Sequence, residues 1–291
     1  MNLPHWIEAA RPKTLPAAVA PVVAGTAMAA NQGGFHWLPS LLCLLFALLI
    51  QIATNFANDY FDYKKGTDNA MRKGPKRAVA QGWITPRVMI RATVLTLFIA
   101  FLVGISLIPF GGYGLIIVGV LSIAFAILYT GGPWPLAYLG LADLFVLIFF
   151  GWIAVMFTYF VQIGHHSWLA FHLGTAVGCL SVNLLLINNY RDYDNDKASG
   201  KNTMVVRFGL LYSRWHYRTA LLLAMLASAW IALDIGKPLF LICLLPILPG
   251  FAIANRLKIT ESVEDFNKLL KQTSGTLLLY AVVASILLIS L

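Results

Sequence analysis

The strongest constraint on this 291-residue chain is a series of nine apolar runs, at roughly 15–31, 38–57, 88–108, 113–130, 139–161, 168–189, 213–233, 238–254 and 274–291. A helix that crosses a bilayer needs about 20 consecutive apolar residues. The other spanning solution is a closed β-barrel, whose strands read as short alternating segments. These runs are long and continuous, so the expectation is an all-α polytopic membrane protein, a bundle of nine transmembrane helices. Composition agrees: 59% of residues are hydrophobic and 11% charged, against about 25% charged in a soluble domain. The stretch AGTAMAA (24–30) has the look of a leader cleavage site. The apolar run starts late, however, and Glu8 is out of place in a leader, so a retained first span is expected.

The net charge of +9 would suggest nucleic acid in a soluble protein. Here the charge is distributed by side of the membrane. With the N-terminus in the cytoplasm and the spans alternating, 20 of the 21 basic residues fall on the cytoplasmic side, and only Lys237 falls outside. The positive-inside rule asks for this asymmetry. The expected location is therefore the inner or plasma membrane, with the N-terminus cytoplasmic, the C-terminus outside and no nucleic-acid partner. The loops assigned outside are short, such as 31–36 and 109–113. Two assigned inside, about 58–87 and 190–212, are long and polar and read as caps on one face. A third, about 255–273, mixes both signs and reads as a partly amphipathic surface helix. His165 and His166 fall on a short outer loop with no acid nearby, a weak metal site. Cys43, Cys179 and Cys243 each lie in an apolar run, form no CxxC and are read as buried apolar fillers.

Six of the twelve acids sit in the two long inner loops. The first contains NDYFDYKKGTD (58–68) and the second NNYRDYDNDKASGKNT (188–203). Asn58 is followed four residues later by Asp62, and Asn188 four residues later by Asp192. Asp68 and Asp196 come further on. Residues four apart share one face of a helix. If the preceding spans continue past their apolar parts, each cluster becomes an oxygen-bearing stripe. Two facing stripes make a hard-oxygen cage suited to Mg²⁺, which is usually held by a few carboxylates together with substrate phosphates. Lys64, Lys65, Arg72, Arg77, Arg191, Lys197 and Lys201 surround the acids and suit the remaining phosphate oxygens. Charged residues beside a membrane are usually only solvated, but the same spacing twice, at matching places in two halves (about 10–130 and 139–254, followed by a final helix at 274–291), argues for one repeated device. In that reading Asp59, Asp62 and Asp68 are half of a metal clamp and Asp192 and Asp196 the other half.

These two segments resemble the motifs of the UbiA-type intramembrane prenyltransferases. The resemblance extends to RPKTLPAAVAPVVAGTA (11–27), GPKRAVAQGWIT (74–85) and YTGGPWPLAYLGLADLFVLIFFGW (129–152), so it covers most of the chain in order. The GTD ending of the first motif and GKNTMVVRFG (200–209) are most like the branch that prenylates 1,4-dihydroxy-2-naphthoate for menaquinone. Asp62 and Asp68 are six residues apart where the common family pattern has four, which argues against the 4-hydroxybenzoate and haem-farnesylating branches. The resemblance implies a central cavity capped on the cytoplasmic side by both Asp-rich motifs, a polyprenyl diphosphate donor, an aromatic acid acceptor and a tail lying among apolar helices with an opening toward lipid. It implies a metal set of Asn58, Asp62, Asp68, Asn188, Asp192 and Asp196, with Asp62, Asp192 and Asp59 catalytic. Diphosphate contacts would come from Arg11, Lys64, Arg72, Arg77, Tyr129, Thr130, Arg191, Lys197 and Lys201. Asn55 and Asp143 are candidates for the acceptor pocket, although Asp143 could instead form a structural ion pair and Gly131–Gly132 simply a turn. Phe56, Tyr60, Phe61, Tyr129 and Tyr190 are candidates for cation–π contact with an allylic cation. Gly25 and Gly151 are read as close helix contacts.

Two other classes compete. A secondary transporter would place its charges near the midplane, whereas these acids sit at the ends of the second and sixth spans. A soluble terpene synthase also uses Asp motifs with Mg²⁺, but nine apolar spans exclude it. Within the enzyme class, homogentisate or 4-hydroxybenzoate is the alternative acceptor.

Overall fold

The computed structural model describes residues 3–68, 74 and 76–291. All nine expected runs are helical, and no strand occurs among the described residues. A short helix α1 (Leu3–Ala10) and a single 3-10 turn (Pro12–Thr14) lead into α2 (Pro16–Asn31), with a bend of 53° between the two parts. Then come α3 (Trp37–Lys64), α4 (Pro86–Ile105), a single turn α5 (Ile108–Gly111) and α6 (Gly114–Leu128). The fifth run is one span, Ala142–Ile163, built from α7 (Ala142–Val146), a π-helical stretch (Leu147–Ile153) and α8 (Ala154–Ile163). It is followed by α9 (Trp168–Arg191), α10 (Tyr193–Ala198) and α11 (Met204–Asp234). A 3-10 stretch (Pro238–Ile247) with α12 (Pro249–Arg256), and finally α13 (Val263–Ser290), complete the bundle.

Seven of these helices are long and apolar enough to cross a bilayer, or eight if the bent pair at the N-terminus counts as one span. Helix α6, at 15 residues, is shorter than that criterion; it rises about 22 Å at 1.5 Å per residue. Exposed Trp37, Tyr113 and Trp168 ring one end of the bundle, and exposed Trp134 and Trp215 lie toward the other. Aromatic belts of this kind suit membrane–water interfaces.

Three segments depart from the expected loops. Helix α3 does not stop with its apolar run but continues through Asn58, Asp59 and Asp62, all buried. Two further pieces of the second expected loop, α10 and the first turns of α11, are also helical. Thr203 caps α11 by accepting the Val206 N–H, and the helix kinks at Gly209, whose φ of 84° suits glycine. The expected surface helix near 255–273 is largely the beginning of α13, which starts eleven residues before the apolar run. Ser262 accepts the Asp265 N–H at its start, and Phe266, Leu269 and Leu270 are buried, so a core face continues the span.

Helix α9 is the axis. It packs on α11, α13 and the π-helical stretch, and most of its surface is buried. Close approach comes from glycine, as expected at Gly25 and Gly151. A Cβ on Gly151 would lie 2.5 Å from the Gly174 carbonyl oxygen and 2.8 Å from Gly178 Cα; one on Gly25 would lie 2.6 Å from the Val155 carbonyl oxygen. Backbone atoms cannot rotate aside, so overpacking here costs about 1–3 kcal/mol or more. Gly151→Leu is expected to lower the thermal unfolding midpoint in detergent by several degrees. Gly114→Ala, where a Cβ meets nothing within 4 Å, should leave it in place. Equal midpoints for the two variants would refute the close-contact reading. All three cysteines are buried and free.

Candidate active site

A cavity of about 400 Å³ runs into the bundle between α2, α3, α6, the π-helical stretch and α9. Its deep part is apolar, with Val22, Phe46, Leu115, Phe149, Phe157 and Val161 in the wall. Its charged lining residues, including Arg11, Lys13, Arg77, Arg191, Asp192 and Lys201, gather at the end where α3 and α9 finish.

The two motifs meet at this polar end. The register of the second holds through the end of α9: the Asp192 N–H donates to Asn188 O (3.1 Å) and the Asp196 N–H to Asp192 O (2.8 Å). The Asn195 side-chain amide donates to Thr67 O (3.1 Å), tying the second motif to the first. Tyr138, from the segment between α6 and α7, is the hub. Its hydroxyl donates to Asp62 Oδ1 (3.0 Å) and accepts from Thr67 Oγ1 (2.6 Å). Lys65 Nζ lies 4.2 Å and Lys201 Nζ 5.6 Å from the Tyr138 ring centroid. Burial, with Asp62 beside it, pushes the Tyr138 phenol well above its ordinary pKa, so it stays a neutral donor. Burial also lowers Lys65, opposed by nearby Asp62 and reinforced by Lys201.

Four carboxylates of the two motifs are each matched with a cation. Asp62 receives Arg77 Nη2 (3.2 Å), and Asp68 receives Arg77 Nε (3.4 Å). Asp192 receives Arg191 at both oxygens (2.9 Å each), and Asp196 lies 3.8 Å from Lys201 Nζ. Both arginines are almost completely buried, and the Nη1 of each has no hydrogen-bond partner among the described residues. A buried guanidinium N–H without an acceptor is costly. Both residues line the cavity, and with Arg11, Lys13 and Lys201 they make its polar end cationic, which suits an anion with several oxygens.

The expected site residues divide clearly. Arg11, Asn55, Asn58, Arg77, Tyr129, Thr130, Asn188, Arg191, Asp192 and Lys201 all line the cavity. Arg11 does so from a left-handed backbone conformation (φ 52°, ψ 70°) at the bend before α2, and its guanidinium donates to Asn55 O (3.3 Å). Asn55 fixes that bend from the other side, donating to Ala10 O (2.8 Å) and Thr14 Oγ1 (3.1 Å). Asn58 accepts from Thr130 Oγ1 (2.8 Å). Asp62, Asp68 and Asp196 stand behind this lining, in the ion pairs described.

Other residues lie elsewhere. Asp59 is fully buried, and its two oxygens accept the Ala78 and Val79 N–H groups (3.0 Å each), so it pins the turn that carries Arg77. Lys64 and Lys197 are exposed, over the rings of Tyr60 and Tyr193, and do not line the cavity. Arg72 lies outside the described residues. Asp143 is buried but is not part of the cavity wall. Of the five aromatic candidates only Tyr129 reaches the cavity. Phe125, Phe145 and Phe149, with ring centroids 4.7–6.1 Å apart, form its aromatic wall instead. Thr14, Gln51, Thr67, Tyr138 and Asn195 also belong to the site or its support and were not singled out in the sequence. Tyr138 lies in a resembling segment, but nothing in its spacing marks it.

The donor set fits Mg²⁺ in one way. No group of three His, Cys, Asp or Glu residues close enough to hold a metal occurs among the described residues. Mg²⁺ is usually held by a few carboxylates that share it with substrate phosphates; Asp192 offers one such carboxylate in the cavity wall, with Asp62, Asp68 and Asp196 behind it.

The described residues thus form a bundle of apolar helices around a chamber that is apolar in its depth and carries Arg11, Lys13, Arg77, Arg191 and Lys201 at its mouth. The chain belongs to the UbiA prenyltransferase family, which it matches over residues 18–287. Among its relatives, a 1,4-dihydroxy-2-naphthoate octaprenyltransferase of Escherichia coli (strain K12) is 44% identical over 228 residues, which cover 76% of this chain and 73% of that protein. A protein of the same name from Mycobacterium leprae (strain TN) is 39% identical over 255 residues, covering 84% and 86%. Among solved structures, that of a UbiA homolog from Archaeoglobus fulgidus bound to GPP and Mg²⁺ aligns over 99% of this chain and 100% of that one, with a TM-score of 0.69 and 15% sequence identity. That structural likeness carries the fold.

Proposed function

We propose that this chain transfers a polyprenyl group from a polyprenyl diphosphate to 1,4-dihydroxy-2-naphthoate, with loss of CO₂ and diphosphate, giving demethylmenaquinone in its reduced form. The observation that carries the site assignment is the gathering of Arg11, Lys13, Arg77, Arg191 and Lys201 at the polar end of an apolar cavity. The names of the relatives above favour this acceptor over homogentisate or 4-hydroxybenzoate. A transporter reading finds no support, because the charged lining residues gather at one end rather than midway.

In this reading Asp62, Asp68, Asn188, Asp192 and Asp196, with Asn58, would hold Mg²⁺ jointly with the donor's diphosphate, and the ion supplies charge neutralisation as the leaving group departs. Arg77, Arg191 and Lys201 exchange their carboxylate partners in part for phosphate oxygens, and Arg11, Tyr129 and Thr130 close the head from the side. The allylic C–O bond breaks and its electron pair leaves with the diphosphate. The ring carbon bearing the carboxylate forms the new C–C bond to the prenyl group. The C–C bond to the carboxylate then breaks, its electrons restore the ring, and CO₂ departs. Phe125, Phe145 and Phe149 exclude water and present ring faces to the allylic cation. Thr14, Gln51 and Asn55 offer polar contacts to the acceptor, and Asp59 is a positioning residue for Arg77. The polar end faces the cytoplasm of an inner or plasma membrane, with nine crossings and the C-terminus outside.

The test is a transfer assay on purified protein in detergent, with a long-chain prenyl diphosphate and 1,4-dihydroxy-2-naphthoate. Prenylated naphthoquinol and CO₂ are expected with Mg²⁺ and neither with EDTA. Product from another aromatic acid alone would overturn the acceptor, and product undiminished in EDTA would overturn the metal.

A further inference from the structure

We propose that the outer flank formed by α11 and the end of α12 holds the headgroup of an anionic phospholipid, with Arg214, Arg218, Arg256 and Lys258 as its cationic partners. The site is separate from the one described above, because none of the four lines the cavity. It stands or falls without regard to the donor and acceptor.

Arg214 and Arg218 are four residues apart on α11 and so share one face of it. Like charges at that spacing repel. The neighbouring element does not relieve them. Helix α12 packs on α11, ends at Arg256 and is followed by Lys258, both exposed. Arg218 donates to Asn255 Oδ1 (2.6 Å), which brings this second basic segment beside the first. None of the four cations forms an ion pair among the described residues. No acid occurs on α12, and the acid of α11, Asp234, is its last residue. The next acids along the chain are Glu261, Glu264 and Asp265, and Asp265 is engaged by Lys268 (2.9 Å). At the cavity mouth, by contrast, Arg77, Arg191 and Lys201 each face a carboxylate.

Basic residues beside a membrane are ordinary; a guanidinium held in place is not. The Arg218 guanidinium lies 4.9 Å from the Trp215 ring centroid, and its bond to Asn255 is to a neutral acceptor, which leaves its charge unmatched. A stacked, planar guanidinium keeps its remaining N–H groups in a fixed fork, the geometry that grips a phosphate. Trp215 is itself exposed, at the level where interfacial aromatic side chains sit. Leu222 and Leu226, seven and eleven residues further along α11, continue the Trp215 face and are also exposed. The surface therefore offers a cationic patch with an apolar strip running from it along the helix, which is the division of charge in a phospholipid. Basic patches between helices at headgroup level suit anionic lipid. A soluble phosphate would use the patch but not the strip.

The test is native mass spectrometry of the purified protein in detergent, titrated with dioleoyl phosphatidylglycerol or dioleoyl phosphatidylcholine and read at the first bound lipid. Wild type should bind phosphatidylglycerol more tightly by about tenfold or more, the scale expected for two basic residues meeting an anionic lipid. The double variant Arg214→Gln/Arg218→Gln should lose that preference. Arg87→Gln/Arg91→Gln is the matched control, since it removes two exposed arginines of the same spacing from α4, where no ring stacks on them among the described residues; it should keep the preference. Asn255→Ala, which releases Arg218 from its anchor, should weaken the preference by a smaller factor, and it carries the test if the double variant does not fold. Equal losses in the two double variants would reduce the effect to general surface charge and overturn the site. No preference in wild type, or an unchanged preference in Asn255→Ala when it alone can be measured, would do the same. Displacement of the bound lipid by inorganic phosphate at an equal concentration would assign the patch to a soluble anion instead.

Discussion

Asp62→Asn is expected to lose transfer activity by a factor of about 10²–10³, the scale seen when one preorganised electrostatic contact to a transition state is removed, while the protein remains folded. The substitution keeps the side chain's size. It removes the charge that Arg77 Nη2 approaches at 3.2 Å and that the Tyr138 hydroxyl approaches at 3.0 Å. It also removes one of the carboxylates proposed to hold Mg²⁺. Asp192→Asn should behave alike from the other motif. Asp59→Asn is the informative contrast, because it changes a neighbouring acid in the same way. Asp59 accepts two backbone N–H groups, from Ala78 and Val79, and an amide can accept only with its oxygen. Leaving one buried N–H unmatched costs about 1–3 kcal/mol of stability, with turnover reduced less than tenfold. Turnover per folded molecule and the unfolding midpoint, measured on all three variants, separate the roles. Full activity in Asp62→Asn would sink the clamp. An Asp59→Asn protein as inactive as Asp62→Asn and equally stable would return Asp59 to the chemistry.

That contrast marks what the sequence makes legible. Apolar runs and charge asymmetry are properties of single segments, so the helices could be read from them. The four-residue spacing of Asn58–Asp62 and Asn188–Asp192 is also local, and it held because the helical register continues past the apolar runs. Which of two adjacent residues turns inward was less visible. Lys64 and Lys65 differ by about 100° around a helix, and Lys65, not Lys64, reaches Thr130 O (2.6 Å). Tyr138 was illegible for another reason: its role exists only because Asp62, Thr67, Lys65 and Lys201 converge on it from distant parts of the chain. The mixed-charge stretch before the last span is amphipathic as expected, with Glu264, Asp265 and Lys268 exposed and Phe266, Leu269 and Leu270 buried, but it is continuous with that span. Charge count alone cannot distinguish a surface helix from the first turns of a longer span.

Arg191→Gln is the variant that should separate binding of the charged head from the rest of the reaction. Arg191 is buried at the end of α9, grips Asp192 through Nε and Nη2, and leaves Nη1 without an acceptor. Glutamine keeps a donor but is shorter, and it loses the positive charge and the fork. A hydrogen bond to a charged group contributes about 1.5–3 kcal/mol, so affinity for a diphosphate head should fall about 10- to 100-fold. The loss should appear in the KM for the prenyl diphosphate and in the inhibition constant of inorganic diphosphate measured with Mg²⁺. The KM for 1,4-dihydroxy-2-naphthoate should stay near wild type, because the polar groups proposed for the acceptor, Thr14, Gln51 and Asn55, belong to the bend before α2 and to α3. Lysine at the same position tests charge against geometry. It restores the charge but presents a point ammonium where a planar fork stood, so Arg191→Lys should recover part of the diphosphate affinity and not all of it. If instead both variants lose acceptor binding and keep the inhibition constant of diphosphate, the unmatched guanidinium serves the aromatic substrate and the head lies elsewhere in the mouth.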